Sequence, residues 1–79
     1  MYNVIFDKDT RNNFLKLEKN SQELVASKLK DLVNGNFIGD KSLKGKFRKR
    51  AGDYRIIYLK ENDILLITLI RIAHRKEVY

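Results

Sequence analysis

The sequence contains no cysteine and only one histidine. Disulfides require pairs of cysteines, and structural zinc sites and iron–sulfur clusters are held mainly by cysteine and histidine side chains. We therefore expect no disulfide framework, no such metal site and no cofactor. The absence of cysteine also fits a reducing compartment, so the predicted location is the cytoplasm.

Long apolar segments are missing as well. The longest nearly apolar run, residues 64–70, is interrupted by Thr68, and residues 1–9 lack a basic stretch followed by an apolar core. A membrane-spanning helix needs about 20 apolar residues. A secretory signal peptide needs the basic stretch and the apolar core together. Neither feature is predicted.

The chain has 79 residues, which is near the lower limit for a hydrophobic core without covalent crosslinks. We therefore expect no second domain within these residues. We expect residues 1–79 to form a single domain in which one layer of helices packs on one sheet.

Positive charge is concentrated in the second half of the chain. Residues 1–40 contain six Lys/Arg and six Asp/Glu, whereas residues 41–79 contain eleven against four. In residues 44–50, five of seven side chains are cationic. Such a segment attracts polyanions, so nucleic acid is the first partner to consider.

The N-terminal half begins with a predicted strand and a short helix. Residues 2–6 are rich in β-forming side chains and alternate in polarity, which predicts a strand. Asp9 or Thr10 can cap a helix that runs to about residue 19.

A second, amphipathic helix is predicted next. Asn20 and Glu23 have the spacing of a capping box, and apolar residues then recur at helical intervals through residue 33. Asn34 and Gly35 tolerate the left-handed geometry with which many helices end. The two helices are expected to form a hairpin on one face of the sheet.

The C-terminal half predicts three strands. Residues 43–50 have the pattern of a basic strand, and residues 51–53 have the composition of a turn. Residues 54–59 alternate in a third strand. Residues 64–73 are apolar at nearly every position, which is typical of a central strand buried on both faces.

The predicted fold class is α+β, with the order β-α-α-β-β-β. Short connections make the last three strands an antiparallel meander. The polar tail, residues 74–79, is expected at the edge of the sheet.

Side-chain alternation places Lys46, Arg48 and Arg50 on one face of the basic strand, and Arg55 on the next strand can project into the same area. Two interpretations remain open for this cluster. It can be a binding surface for phosphates, or a solvated edge strand whose charges prevent aggregation.

Three short segments together resemble the RelE toxin family of the RelE/ParE superfamily. They are L-K-G at residues 43–45, G-D-Y-R-I-I-Y at residues 52–58, and R-I-A-H-R-K-E-V-Y at residues 71–79. In that family a G-x-Y-R-x-x-Y segment precedes an apolar strand that ends in a basic segment and a late V-Y. The resemblance covers the whole chain, including the helical hairpin.

The resemblance implies a toxin that cuts mRNA in the ribosomal A site, by attack of a 2'-hydroxyl on the adjacent phosphate. It also implies a RelB-like antitoxin that forms a hetero-oligomer with the toxin and holds it inactive. The implied partners are this antitoxin, the ribosome and mRNA, with no membrane and no metal.

By position in these motifs, the resemblance implies five catalytic residues: Lys46, Arg48, Arg55, Arg75 and Tyr79. The neighbouring cations and the histidine are expected to contact RNA: Lys44, Lys49, Arg50, His74 and Lys76.

Arg55 and Arg75 are expected to stabilise the negative charge that develops on the attacked phosphate. Lys46 is the first candidate for the general base, because surrounding cations should lower its pKa. Tyr79 is the second candidate, either as a phenolate or as a platform that stacks on a base.

Arg48 stands where a second lysine often occurs in the family. Arginine does not deprotonate in proteins, so Arg48 is expected to act only electrostatically. His74 is open to two interpretations. It can donate the proton to the leaving oxygen, or it can be a hydrogen-bonded residue at the end of a strand.

Three other functions remain possible from the sequence. A ParE-type toxin poisons DNA gyrase and does not cut RNA. A non-catalytic module would use the same charges only to bind RNA or the ribosome. A degenerate toxin would retain the fold without the activity.

Overall fold

The computed structural model describes the backbone of residues 1–78 and the side chains of residues 1–76. Within this part of the chain, the elements follow in the order β1 (Asn3–Phe6), α1 (Lys8–Lys16), α2 (Lys19–Val33), β2 (Lys41–Leu43), β3 (Lys46–Ala51), β4 (Tyr54–Glu61), β5 (Leu66–His74) and α3 (Arg75–Val78). The predicted α+β class, with a strand, a helical hairpin and then antiparallel strands, is confirmed.

The strands form one five-stranded sheet in the order β1-β5-β4-β3-β2. β1 is parallel to β5, and every other neighbouring pair is antiparallel. The hydrophobic core lies between one sheet face and the helices, and its buried members are Val25, Leu32, Ala51, Ile56, Tyr58, Ile67, Leu69 and Ile72. The sheet therefore has one face covered by helices and one face without them, which we call the open face.

The predicted basic strand at residues 43–50 is in fact a hairpin of β2 and β3. Leu43 pairs with Lys46, and the two residues between them, Lys44 and Gly45, have φ angles of 47° and 83°. Positive φ at both central residues is typical of a type I′ turn, whose twist suits a two-residue hairpin. The meander therefore has four strands instead of the predicted three.

Helix α1 begins two or three residues earlier than the sequence predicts. Its N-cap is Asp7, whose Oδ1 accepts a 2.8 Å hydrogen bond from the backbone N–H of Thr10. The nearby Thr10 side chain and the hydrogen bond from the Thr10 backbone N–H hold the pKa of the Asp7 carboxyl below its usual value. Asp9, one of the predicted caps, lies instead in the first turn, where its charge suits the helix dipole.

The predicted capping box of α2 does not form. The helix starts at Lys19 with Glu18 at the N-cap position, so Asn20 already lies inside the first turn. The predicted end is confirmed, because α2 stops at Val33 and Gly35 has a φ of 73°.

β5 is central in the sheet, as predicted, but it is not buried along both faces. Ile67 and Leu69 have no exposed surface, whereas Arg71 is exposed and Thr68 is only half-buried. The helices cover only one side, which explains this difference.

Of the tail predicted at the sheet edge, His74 ends β5 and residues 75–78 form the short helix α3. The backbone N–H of Arg75 donates a 2.7 Å hydrogen bond to the carbonyl oxygen of Asp53, which ties the start of α3 to the β3–β4 turn. None of the helices in residues 1–78 is both long and apolar enough to cross a membrane.

Candidate functional site

A pocket of about 210 Å³ opens near β3 and β4, lined by Gly39, Lys41, Arg48, Arg50 and Arg55. We call it the cationic pocket. Among the described residues that line it, four are cationic and none is acidic. Such an arrangement concentrates anions, because the neighbouring positive potentials add together.

Strand register explains how the sequence builds this pocket. Arg50 on β3 pairs directly with Arg55 on β4, and Lys41 on β2 pairs directly with Arg48. Residues 48 and 50 share a face because side chains alternate along a strand. Directly opposed like charges destabilise a sheet, and an anion bound between Arg50 and Arg55 would offset their repulsion.

Arg55 is held in place by main-chain carbonyls. Its residue surface is only 8% exposed, and its Nη1 donates 3.0 Å hydrogen bonds to the carbonyl oxygens of Gly52 and Tyr54. Gly52 has a φ of 60° and is the first central residue of the β3–β4 turn. This conformation favours glycine and explains the glycine of the G-x-Y-R segment.

The expectation that Lys49 contacts RNA is not supported, because this side chain is buried. Its Nζ lies 3.0 Å from Asp40 Oδ1 in an ion pair whose two side chains are each 5% exposed. It also donates a 3.2 Å hydrogen bond to the carbonyl oxygen of Asn36. Alternation along β3 turns Lys49 toward the helix-covered face, opposite to Arg48 and Arg50.

Asp40, whose side chain is buried, lies near the pocket and was missed by sequence reasoning. Besides the ion pair with Lys49, its Oδ2 accepts a hydrogen bond from the Tyr58 hydroxyl. Burial, followed by the hydrogen bond and the negative charge of Asp40, raises the pKa of Tyr58 well above its usual value. Because Gly39 and Lys41 flank Asp40, this anchored carboxylate fixes one wall of the pocket.

A larger, mixed-charge groove of about 590 Å³ adjoins the cationic pocket and shares Gly39 and Arg50 with it. Lys28 and Asp31 on α2 contribute opposite charges to its lining. Its electrostatic preference for an anion is therefore weaker.

Lys46 and Lys44 lie toward the other end of β3. Lys46 is exposed and shares the open face with Arg48, two residues or roughly 7 Å along the strand. Lys44 is exposed in the β2–β3 turn. Neither residue lines the cationic pocket.

Arg75 and His74 also lie outside the pocket lining. Arg75 Nε is 3.7 Å from Asp53 Oδ1, and both side chains are more than half exposed. His74 pairs with Tyr54, with ring centroids 5.4 Å apart and an interplanar angle of 82°. His74 Nδ1 accepts a 3.2 Å hydrogen bond from the backbone N–H of Lys76.

The register places His74 on the same face as Tyr54 and Ile56, which is the helix-covered face. His74 is therefore a hydrogen-bonded residue at the end of a strand, and its role as a proton donor stays a prediction. Lys76 is exposed in α3. Tyr79, the predicted late tyrosine, lies outside the described residues.

Two cations of the open face were not singled out from the sequence. Lys41 lines the pocket, and Arg71 on β5 pairs with Ile57, which in turn pairs with Arg48. Only the strand order brings these residues together, so the sequence pattern carried no local signal for them. In residues 1–78, no three His, Cys, Asp or Glu side chains form a group that could hold a metal ion.

Comparison with known proteins gives consistent matches along the chain. The family model of the ParE toxin of type II toxin–antitoxin systems (parDE) matches residues 4–79. A protein of Escherichia coli described as a RelE-like toxin is 29% identical over 80 residues, covering 95% of this chain and 84% of that protein.

Solved structures of toxins from this superfamily have the same fold. The RelBE2 toxin–antitoxin complex of Mycobacterium tuberculosis matches with a TM-score of 0.83 and 26% identity, over 94% of this chain and 98% of that chain. The isolated RelE toxin of E. coli matches with a TM-score of 0.81 and 18% identity, over 94% of this chain and 84% of that chain. Since the family model spans nearly the whole sequence, the chain belongs to the ParE toxin family within the RelE/ParE superfamily, and it is a RelE-like toxin of a type II toxin–antitoxin system.

Proposed function

We propose that this toxin is a ribosome-dependent endoribonuclease that cleaves mRNA in the A site and so inhibits translation. The observation that carries the proposal is the cationic pocket, in which Arg50 directly opposes Arg55 and Arg48 lies beside them. A phosphate bound there would relieve the repulsion between the two guanidinium groups.

The proposed reaction is an internal transfer at one phosphate of the RNA. The 2'-oxygen attacks the adjacent phosphorus, the bond from phosphorus to the 5'-oxygen breaks, and a 2',3'-cyclic phosphate forms. The proton of the 2'-hydroxyl passes to a general base, and an acid protonates the departing 5'-oxygen. Negative charge builds on the phosphate oxygens during the attack, so fixed cations near them lower the barrier.

Arg55 is suited to stabilise this charge because it is already oriented. Both N–H groups of Nη1 are committed to the carbonyls of Gly52 and Tyr54, and three N–H groups remain on Nε and Nη2. Arg48 adds charge from the neighbouring strand. Preorganised donors need little rearrangement during the reaction, which is the main advantage of such sites.

Two residues are candidates for the general base. Lys46 is our first candidate for the base because it is exposed on the same face as Arg48. Tyr79 is the second candidate. Arg75 is exposed beside Asp53, and an exposed ion pair of this kind contributes little, so the guanidinium can turn toward a bound phosphate.

The ribosome supplies what so small a site lacks. A pocket of about 210 Å³ can hold a phosphate but offers few groups that orient the ribose for in-line attack. Orientation of the reacting groups accounts for a large part of enzymatic rate enhancement. Ribosomal RNA that holds the codon in place would provide it, and no metal ion is required by this scheme.

The proposed regulatory partner is a RelB-like antitoxin that forms a hetero-oligomer with this chain. Solved relatives from M. tuberculosis and E. coli are complexes of RelE-type toxins with their antitoxins. Excess positive charge on the toxin suits an antitoxin segment with acidic side chains.

Primer extension on an mRNA in a translating extract tests the proposal. Wild-type protein should give new in-frame cuts, and an Arg55→Ala/Arg75→Ala double variant should give none. A Lys19→Ala/Lys30→Ala variant, which removes two exposed charges from the helix side, is the matched control and should cut as wild type does. Arg48→Gln is a second test variant that avoids the buried Arg55, and circular dichroism verifies that each variant is folded.

A second candidate function is poisoning of DNA gyrase. The match to the ParE family model over residues 4–79 favours it. If folded wild-type protein gives no cuts, a gyrase supercoiling assay decides, and inhibition there would replace the nuclease proposal. RNA binding with neither activity would indicate a non-catalytic module.

A further inference from the structure

Four residues from four strands form one line across the open face. Lys41 pairs with Arg48, Arg48 pairs with Ile57, and Ile57 pairs with Arg71. We call this line the cross-strand row. Directly paired residues project to the same side of a sheet, so the three cations of the row point away from the helices.

Of the two outer members of the row, Lys41 lines the cationic pocket and Arg71 lies beyond it. Neighbouring strands lie roughly 4.8 Å apart, so about 10 Å separates the Cα atoms of Arg48 and Arg71, and about 14 Å separates those of Lys41 and Arg71. Ile57 stands between Arg71 and the pocket, and Arg71 is not part of its lining. A phosphate held in the pocket therefore lies beside Lys41, whereas Arg71 is two strands away from Arg48 and outside the pocket lining.

We propose that Lys41 and Arg71 bind the RNA phosphates on either side of the cleaved phosphate, so that the RNA backbone crosses the strands along the cross-strand row. This inference rests on the proposed RNA substrate and deepens it by assigning the path of the chain. Residues 48, 50 and 55 hold the reacting phosphate, and Lys41 and Arg71 hold its neighbours.

The alternative path, along β3, fits the structure less well. It would follow Lys46, Arg48 and Arg50, but it leaves the exposed Arg71 without a role. Within the described strand β5, Arg71 is the only Lys, Arg, Asp or Glu residue, and it is exposed on the open face. The crossing path uses this arginine and also the pocket wall formed by Lys41.

Short 2'-O-methyl oligonucleotides test the path, because the blocked 2'-oxygen prevents cleavage. A dinucleotide contains one internal phosphate and a tetranucleotide contains three. Affinity for each is measured by NMR titration of the ¹⁵N-labelled protein at low salt. The variants are Lys41→Gln, Arg71→Gln and Arg48→Gln, and Lys30→Gln on α2 is the charge-matched control.

We expect Arg48→Gln to weaken binding of both oligonucleotides. Arg71→Gln should leave dinucleotide binding unchanged relative to the Lys30→Gln control and weaken tetranucleotide binding about three- to fivefold, as for a partly solvated ion pair. Lys41→Gln should lose more affinity for the tetranucleotide than for the dinucleotide. Each lost phosphate contact should also reduce the slope of log affinity against log salt concentration. The reduction should be about 0.7 when a longer single-stranded RNA is titrated.

Equal losses for the two lengths would overturn the path, and so would losses no greater than those of the Lys30→Gln control. Failure of the wild type to bind the tetranucleotide at low salt would overturn it as well. The ribosome cleavage assay is read separately. Length-dependent losses without cleavage would retain the RNA path and reject the nuclease.

Discussion

Arg48 and Lys49 are adjacent in the chain, yet their side chains have opposite surroundings. Arg48 lines the cationic pocket, whereas the Lys49 ammonium is buried against Asp40. A run of five cations in seven residues therefore contains at least one structural cation. Charge density alone identified the region, and the burial of each side chain separates its possible roles.

The Asp40–Lys49 pair gives a prediction for stability. Asp40→Asn keeps the size of the side chain but leaves the Lys49 charge buried without a counterion. We expect the free energy of unfolding to fall by about 3 kcal/mol, because an unpaired buried charge is strongly destabilising. Urea denaturation followed by circular dichroism measures it.

The matched test is the Asp40→Asn/Lys49→Met double variant. It removes the stranded charge, so it should be more stable than Asp40→Asn alone. Additive losses from the two single substitutions would contradict the coupling between these residues.

The raised pKa of Tyr58 gives a prediction for pH dependence. Above pH 10.0, the usual tyrosine pKa, Tyr58 ionises in the unfolded chain but keeps its proton in the folded protein. The unfolded state then binds fewer protons, so folded-state stability falls as pH rises, by at most about 1.4 kcal/mol per pH unit for one group. The Tyr58→Phe variant has no ionisable hydroxyl at this position, so it lacks this loss of stability.

Urea denaturation at pH 8, 10 and 11 measures the difference in stability between wild type and Tyr58→Phe. The variant should be less stable at pH 8, where it lacks the hydrogen bond to Asp40, and the difference should narrow above pH 10. Tyr2→Phe is the control, since its hydroxyl bonds Asn62 at the surface. A difference that stays constant across the range would refute the assignment.

At the scale of elements, one residue pair between β3 and β4 is expected to lower stability and to favour RNA binding. Arg50 and Arg55 are directly opposed like charges. Arg50→Gln should raise the free energy of unfolding by about 0.5 kcal/mol through relief of this repulsion. The same substitution should weaken RNA binding because it removes one wall of the pocket.

Thermal denaturation and oligonucleotide titration of the same Arg50→Gln sample measure both effects. Lys30→Gln removes one charge from α2 and should change neither by a comparable amount. If Arg50→Gln is less stable than wild type and binds RNA normally, the opposed charges do not serve RNA binding.

Local patterns predicted most elements, whereas non-local pairing produced the surprises. The period-two pattern of β1 and β4 and the helical period of α2 are encoded within each segment. The split of β2 from β3 depends on a lysine with positive φ, which composition does not mark. The hairpin was therefore read as one strand.

The candidate site was likewise predictable only where a local pattern or the family resemblance carried the signal. Alternation placed Arg48 and Arg50 on one face, and the family resemblance pointed to Arg55. The contributions of Lys41 and Arg71 follow from strand order and register, which link residues 30 positions apart in the chain. No pattern within a single segment contains that information.

For the whole molecule, anion binding should be visible as thermal stabilisation. A ligand that binds only the folded state at ten times its Kd adds about 1.4 kcal/mol. For a chain of this size, that corresponds to a rise in Tm of about 6–11 °C. Inorganic pyrophosphate should produce this rise by occupying the cationic pocket.

Differential scanning calorimetry with pyrophosphate, compared with chloride at equal ionic strength, measures the effect. Arg48→Gln should greatly reduce the rise, and Lys30→Gln should preserve it. Equal rises in all three proteins would mean that pyrophosphate acts as a general salt and does not occupy the pocket.

The separation of the two sheet faces has a consequence for how this scaffold can evolve. Positions 48, 50, 57 and 71 project from the open face, whereas their neighbours at 49, 51, 56, 58 and 72 are buried in the sheet or beneath the helices. A randomised library at the first set should yield mostly folded proteins with new target preferences. The same diversity at the second set should yield mostly insoluble chains, so new toxin targets are reachable by changing every other residue.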